Sequence, residues 1–400
     1  MLCYFLRQMF TIVDFNNFWS PSGGGVRRYH LQKMAFYENL HEKEFGVRSV
    51  FVMPDSKTFT EVKSDSLIIE HVKAFRFPGN WEYRFIWKKS QIAPTLQKYQ
   101  PDVIEVGSPY ILPTVVRKFA KKISPNAKLV SFWHADFPIT YVERPVAKKF
   151  GKFLASICRE IAFAYAKFEF RKFSCIQVSC NEVLERLKKH HLPQAHWIPL
   201  GCDIQMFHPQ KRDMELVETL KGGNPDRLTI FFPHRFCEEK GIELLLGAYD
   251  IIAKKLQSEP ALVLAGTGPY LPKVIEATQK HPGIQYKGFI NSIDEMAKYY
   301  ASVDLGLALS GWETFGLSIL ESMASGNAQI GANTGAAAEH VFESGAGTIL
   351  QNRTPEALAE AIVSLYQSNL TQKKLNARAY AEKFSWENCF RRQLELYKNL

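Results

Sequence analysis

The stretch GWETFGLSILESMASG, residues 311–326, sets Glu313 and Glu321 eight positions apart. A helix turns by about 100° per residue, so residues eight apart point roughly 80° away from each other. Carboxylates on one helical face would instead be three, four or seven apart. The spacing suits a loop Glu313 followed by a helical Glu321, with Gly316 allowing the tight turn between them. The helix LSILESMAS is expected to turn Leu317, Leu320 and Ala324 inward and to stop at Gly326. The N–H groups of Phe315, Gly316 and Leu317 then face out of a helix N-terminus, where they and the helix dipole suit a phosphate. At ~1.5 Å rise per residue, the two carboxylates lie about 12 Å apart along the axis and could grip both ends of an elongated phosphate-containing ligand. Carboxylates accept hydrogen bonds from hydroxyls, so a sugar at one end and a ribose at the other are natural occupants. Taken alone, the same two residues also suit a surface helix with a glutamate on either side.

The elements that must position these residues are short β-rich runs alternating with helical patterns, which is parallel α/β architecture. Strands are expected at FTIVDF, RSVFVMP, DVIEVG, KLVSFW and CIQVSC, then at LTIFFP, ALVLAG, IQYKGF, VDLGLAL, AQIGA and GTIL. Few of these runs alternate in polarity, as expected of strands covered on both faces. KGIELLLGAYDIIAKKL carries Ile242, Leu245, Leu246 and Tyr249 on one helical stripe. Ser292 with Glu295 forms a capping box, and Thr354-Pro355 opens another helix. The pattern restarts near residue 226, after a connection running from PLGCDIQMFHP to ETLKGGNPDR. The expected organisation is an N-terminal Rossmann-like domain over 1–200, a second over 201–383 facing it across a cleft, and a closing helix over 384–400 that packs back on the first.

Composition bounds the class. A chain of 400 residues with 46% hydrophobic and 22% charged residues is a globular protein of about two domains. Its seven cysteines are scattered, with no CxxC pair, which argues for a reducing compartment and against a disulfide framework or structural zinc. The opening MLCYFLRQMF lacks a cleavage site, and the apolar run FLASICREIAFAYA is interrupted by Arg159 and Glu160. A cytoplasmic protein without a membrane span is expected. Charge is uneven: residues 1–200 hold 30 Lys and Arg against 17 Asp and Glu, whereas residues 201–400 hold 20 against 23. A basic half is attracted to anionic surfaces, lipid or nucleic acid. The segment ERPVAKKFGKFLASICREIAFAYAKFEFRKF mixes basic and aromatic residues at near-helical spacing, which suits either an anionic bilayer or packing beneath the first sheet.

The arrangement Glu313-x7-Glu321 around FGLSILESMASG resembles the signature of the retaining glycosyltransferases of family 4, which have the GT-B fold. Further matches follow in family order: GGGVRRYHLQKMAF as the Gly-rich first loop and helix, SFWHADFP as the histidine-bearing loop, and WIPLGCDIQMFHP as the linker. FFPHRFCEEKGIELLLGAYDII resembles the Arg-x4-Lys-Gly element, and LVLAGTGP and YKGFI the nucleotide-side strands.

The resemblance implies that Arg235 and Lys240 hold the donor diphosphate, whose accumulating charge a guanidinium and an ammonium would stabilise. It further implies that Glu321 binds the ribose and that Glu313 holds the transferred sugar, with Thr314, Phe315, Gly316 and Leu317 beside sugar or phosphate. Gly266, Gly268 and Phe289 fall on the donor side. His134 would approach the reacting sugar from the first domain, with Asp136 beside it as an acceptor-side base or a turn cap. Gly23, Gly24 and Gly25 would let backbone approach the diphosphate. Three features depart from the family pattern: His234 in place of the common glycine, TGAAAEH with Gly335 and Glu339 but no second glycine or proline, and Trp133 before the histidine. No Asp-x-Asp, HExxH or His/Cys cluster is present, so no cofactor and no metal are expected, the co-substrate being of the GDP-mannose or UDP-glucose type. The expected reaction is transfer of mannose or glucose to a lipid or glycan acceptor at the inner face of a membrane, with an anionic bilayer as a partner and no nucleic acid. A sugar-nucleotide epimerase or hydrolase on the same scaffold is the rival enzyme, and a nucleic-acid-binding protein the rival of another class.

Overall fold

The computed structural model describes residues 9–19, 24–40, 46–77 and 80–400. The chain forms two compact units, one of Met1–Pro199 with Trp386–Leu400 and one of Leu200–Ser385.

In the first unit the strands, in chain order, are β1 (Phe10–Phe15), β2 (Val47–Asp55), β3 (Phe59–Val62), β4 (Leu67–Lys73), β5 (Phe75–Phe77), β6 (Asn80–Phe85), β7 (Val103–Val106), β8 (Lys128–Phe132), β9 (Cys175–Val178) and β10 (Ala195–Trp197). Eight of them make one sheet in the order β10-β9-β8-β7-β1-β2-β4-β3, parallel except for β3, and β5 with β6 forms a separate antiparallel pair. The apolar runs read from sequence supply β1, β2, β7, β8 and β9. Outside that reading are β10 and the excursion β3–β6, where charged residues such as Glu61 and Arg76 break up the apolar pattern. Of these, β3 is polar and largely exposed and lies at the sheet edge, where charge discourages further pairing, whereas β4 beside it is mostly buried.

The helix Trp386–Lys398 completes the core of this unit. Its Tyr397 hydroxyl donates to Glu105 at 2.8 Å, and its Gln393 reaches Gln177 at 2.5 Å and Tyr29 at 2.9 Å. Glu105 also pairs with Lys33, whose ammonium is completely buried between Glu105 at 2.5 Å and Asp14 at 2.9 Å. Burial pushes the Lys33 pKa down, but the two carboxylates outweigh it and hold the ammonium charged.

The second unit has β11 (Thr229–Pro233), β12 (Ala261–Ala265), β13 (Ile284–Tyr286), β14 (Leu305–Ala308), β15 (Ala328–Ala332) and β16 (Gly347–Leu350). All are parallel, in the order β13-β12-β11-β14-β15-β16. Helix Ile242–Leu256 lays Ile242, Leu245 and Tyr249 on the sheet, with Leu246 partly covered. Ser292 and Thr354 accept from the N–H groups of Glu295 and Ala357, capping the helices Ile293–Ser302 and Pro355–Gln367. In both units the strand order reverses beside the first strand, between β1 and β7 and between β11 and β14. Open α/β sheets bind ligands outside the carboxyl ends of strands at such a reversal. Among the described residues, no helix is long and apolar enough to cross a membrane.

Candidate active site

In the second unit the loops leaving β11 and β14 flank the reversal, and they carry the charged residues picked out above. After β11 the chain passes His234 and Arg235, makes a short turn at Glu238–Lys240, and enters the next helix through Gly241. Gly241 has φ +77°, and a Cβ there would lie 3.0 Å from Leu309 Cβ. That close approach brings Lys240 to the end of β14, where its Nζ forms an ion pair with Glu313 Oε1. Only 22% of the Lys240 side chain and 24% of the Glu313 side chain remain exposed. Burial raises the Glu313 pKa, but Lys240 overrides it and holds the carboxyl below its ordinary value. The Lys240 ammonium, pulled down by burial, is held above its ordinary value by Glu313. Arg235 is exposed and makes no ion pair with a carboxylate among the described residues.

His234 lies 3.1 Å from the Leu307 carbonyl through Nε2. Burial, helped by Lys240, lowers its pKa to about 4, so at neutral pH the ring is uncharged and Nε2–H donates to that carbonyl. Beneath this loop pass Gly266 and Gly268, at φ +137° and +155°; a Cβ on either would strike the carbonyl oxygen of His234 or Phe236. Phe236 N–H donates to Thr267 at 2.9 Å, and Gly266 N–H to Gly288 at 2.7 Å, so the loops after β11, β12 and β13 are tied together. Phe289 stands exposed on the third of them.

The loop after β14 is fixed from several sides. Ala336 N–H donates to the Glu313 carbonyl at 3.0 Å, and Thr334 Oγ1 donates to that of Gly311 at 3.1 Å. Gly335 takes φ +71° there, because a Cβ would sit 2.8 Å from the Gly311 oxygen. His340, kept neutral by burial with a pKa of about 4, donates from Nε2 to the Phe315 carbonyl at 2.7 Å. Arg353 donates to the Leu309 carbonyl and lies 5.6 Å over the Trp312 ring. Arg353 and the bonding of His340 are positioning features that sequence reasoning missed: their partners lie 44 and 25 residues away.

Gly316, at φ +77°, ends the loop and starts the helix Leu317–Ala324, with Thr314 half-buried and Phe315 buried just before it. Ile319 N–H donates to the Gly316 carbonyl at 3.0 Å, so the amides of Phe315, Gly316 and Leu317 precede the helical ladder. The inward set differs from expectation. Leu317 is only half-buried, while Ile319 and Met323 join Leu320 and Ala324 inside. This short helix is enclosed by the helices Ile293–Ser302, Gly335–Ser344 and Leu370–Ala381, so most of its circumference is covered. Glu321 is buried with it, and the helix ends at Ser325, with Gly326 following at φ +87°.

In the first unit, Gly24 and Gly25 stand at the start of the helix Gly25–Leu40, where Arg28 N–H donates to the Gly24 carbonyl at 3.1 Å. Gly23 lies outside the described residues. His134 follows β8 and packs against Phe132, Tyr29 and His30, with ring centroids at 4.0, 5.2 and 5.5 Å. Burial, then His30 and Lys33, hold its pKa well below the ordinary value, so the ring is neutral. Gly107, after β7, admits it closely: a Cβ there would be 3.1 Å from His134 Nε2 and 2.8 Å from Asn16 Nδ2. Asp136 is buried and ion-paired with Arg186, which also pairs with Glu182. Burial raises the Asp136 pKa, and Arg186 opposes the rise. Its carboxylate therefore does not cap the next turn; its backbone carbonyl does so, accepting from Ile139 at 3.1 Å and Thr140 at 2.8 Å.

Two doubly wound sheets, one in each unit and parallel but for β3, are the architecture of the GT-B glycosyltransferases. The family description "Glycosyl transferases group 1" matches residues 220–383, and "Glycosyltransferase Family 4" matches residues 35–206. The chain belongs to this glycosyltransferase family. It is 25% identical, over 94% of its length and 93% of the relative's, to a GDP-mannose-dependent alpha-(1-6)-phosphatidylinositol dimannoside mannosyltransferase of Mycobacterium tuberculosis. A GDP-mannose-dependent alpha-mannosyltransferase of Corynebacterium glutamicum is 25% identical over 82% of this chain and 74% of that one. Among solved structures, sucrose-phosphate synthase from Thermosynechococcus elongatus superposes with a TM-score of 0.76 at 18% identity, covering 98% of this chain and 99% of that one.

Proposed function

We propose that this glycosyltransferase moves a mannosyl residue from a GDP-mannose-type donor to a lipid-linked acceptor, with retention of anomeric configuration and without a metal ion. The observation that carries the reading is the Lys240–Glu313 pair at the reversal of the second sheet, its lysine on the loop that also carries the exposed Arg235. An ammonium has three N–H donors; with one on Glu313, two remain for phosphate oxygens. Arg235 adds a forked donor set, and the amides before the Leu317–Ala324 helix add neutral ones. Together they oppose the charge that gathers on a departing nucleoside diphosphate, the task a divalent cation performs elsewhere. Glu321 is assigned to the ribose hydroxyls and Glu313, fixed by Lys240, to the hydroxyls of the transferred sugar. Neutral His134 is assigned as a hydrogen-bond donor to a hydroxyl of that sugar, and Gly24 and Gly25 as backbone that approaches the diphosphate.

The choice of mannose and of a lipid acceptor is supported by the names of the mycobacterial and corynebacterial relatives. The test is transfer of radiolabel from GDP-mannose and, separately, UDP-glucose to a phosphatidylinositol mannoside, with and without EDTA. Chelator-resistant transfer from GDP-mannose is expected. Transfer that needs an added divalent ion contradicts the metal-free reading, and donor turnover without acceptor contradicts transfer.

A further inference from the structure

The helix Lys152–Phe170 is apolar on two opposite faces. At about 100° per residue, its buried residues Ala155, Ala162, Phe163, Ala166 and Phe170 fall within an arc of about 120°. Phe153, Leu154, Ile157, Ile161, Tyr165 and Phe168 fall within a second arc of about 120° on the other side, and all six are exposed. Phe153 is 83% exposed and Ile161 63%. The first face packs into the unit, so core packing accounts for only half of the apolar residues. A continuous exposed stripe of this kind marks an interaction surface.

Its surroundings select the occupant. Residues 144–172 carry eight Lys and Arg against two Glu. Lys148, Lys149 and Lys152 stand exposed at one end of the stripe and Arg171 and Lys172 at the other. Lys149 lies 5.2 Å over the Phe150 ring and Arg171 5.3 Å over Phe168, so cations sit directly beside the aromatic surface. Both acids are already engaged: Glu169 is buried and accepts from Thr114 at 2.5 Å, and Glu160 pairs with Arg159 at 2.9 Å. No uncompensated carboxylate of this helix meets an anionic partner.

We infer that this exposed stripe, with its flanking cations, is the surface by which the protein docks on an anionic lipid bilayer. The aromatic and aliphatic side chains enter the boundary between headgroups and acyl chains while the lysines and arginines neutralise lipid charge. The inference rests on the proposed lipid acceptor, which such docking would bring within reach of the enzyme.

The test is flotation of the full chain with vesicles of phosphatidylcholine containing about 30% phosphatidylglycerol, against pure phosphatidylcholine vesicles. Binding to the anionic vesicles is expected, falling by about tenfold or more between low and high salt. The triple variant Phe153→Ser, Ile157→Ser, Ile161→Ser alters exposed side chains only; it is expected to melt as the wild type does and to lose at least about tenfold in partitioning. Lys148→Gln, Lys149→Gln, Lys152→Gln should weaken binding to anionic vesicles and leave binding to neutral ones unchanged. Unaltered partitioning of the correctly folded triple variant overturns the inference. So does wild-type self-association that the triple variant abolishes in the absence of any vesicle binding, since a second copy would then be the occupant. Nucleotide-sugar binding, measured by calorimetry on the same samples, separates the two readings. Donor binding without vesicle binding defeats only the docking surface, and vesicle binding without hexosyl transfer defeats the proposed function.

Discussion

Replacing Lys240 with alanine separates a catalytic role from a structural one. Complete burial of an ion pair makes its breakage cost about 3–5 kcal/mol, while exposed pairs contribute at most about 1 kcal/mol. With 22% and 24% of the two side chains exposed, the Lys240–Glu313 pair falls between these limits. Loss of the lysine is therefore expected to cost about 2–3 kcal/mol, or about 4–12 °C in melting temperature for a unit of this size. The loss has a pH signature. In the wild type, Lys240 keeps the Glu313 pKa below 4.5, so that group's stabilising contribution is present above pH 4.5 and disappears as pH falls through the folded value. Without Lys240, burial alone pushes the carboxyl above 4.5, and the variant loses stability as pH rises from there toward neutrality. The deficit relative to wild type should thus be small near pH 4.5 and largest at neutral pH.

Catalysis should respond differently. Removing one preorganised donor to a developing oxyanion costs about 10²–10³ in rate, and Lys240→Ala is expected to lose that much in kcat/KM. The double variant Lys240→Ala, Glu313→Ala removes the orphaned carboxylate and should recover stability, but not transfer. Steady-state transfer and thermal unfolding of the two variants provide the readout. Activity of Lys240→Ala within about threefold of wild type, or recovery of transfer along with stability in the double variant, refutes the reasoning.

Three other outcomes are expected. Glu321→Ala should weaken nucleotide-sugar affinity by about tenfold, read by calorimetry, through lost hydrogen bonds to the ribose; unchanged affinity removes that assignment. Gly316→Ala places a Cβ 2.5 Å from Ile319 Cδ1 at φ +77° and should lower stability by about 2 kcal/mol, or 4–8 °C, by calorimetry. His340, neutral in the fold with a pKa of about 4 against 6.5 when unfolded, should make stability fall by up to about 3 kcal/mol as pH drops between those values. In His340→Gln that slope should flatten, as measured by urea unfolding across the acid range.

Much of the second unit and of its candidate site was legible because the residues concerned lie in short local patterns. The continuous apolar strands, the glycine before a helix, and the Arg235, Lys240, Glu313 and Glu321 positions each occupy a few neighbouring residues. What escaped depends on distant partners. Tyr397 meets Glu105 across 292 residues, and Arg186 meets Asp136 across 50, so a turn-cap reading of that aspartate had no local sign against it. The Leu317–Ala324 helix presents a one-sided stripe in sequence yet is covered nearly all round, because three separate helices enclose it. The Lys152–Phe170 helix buries one apolar face and leaves the other exposed, a division that a single apolar run of sequence does not reveal.

The most direct test of the account is a crystal structure with an intact nucleotide sugar, grown in the presence of a chelator. The account predicts diphosphate oxygens within about 3 Å of Lys240 Nζ and of the Arg235 guanidinium, facing the amides that open the Leu317–Ala324 helix. Phosphates lodged away from these groups, or donor that is seen only when a divalent ion bridges its phosphates, would contradict it.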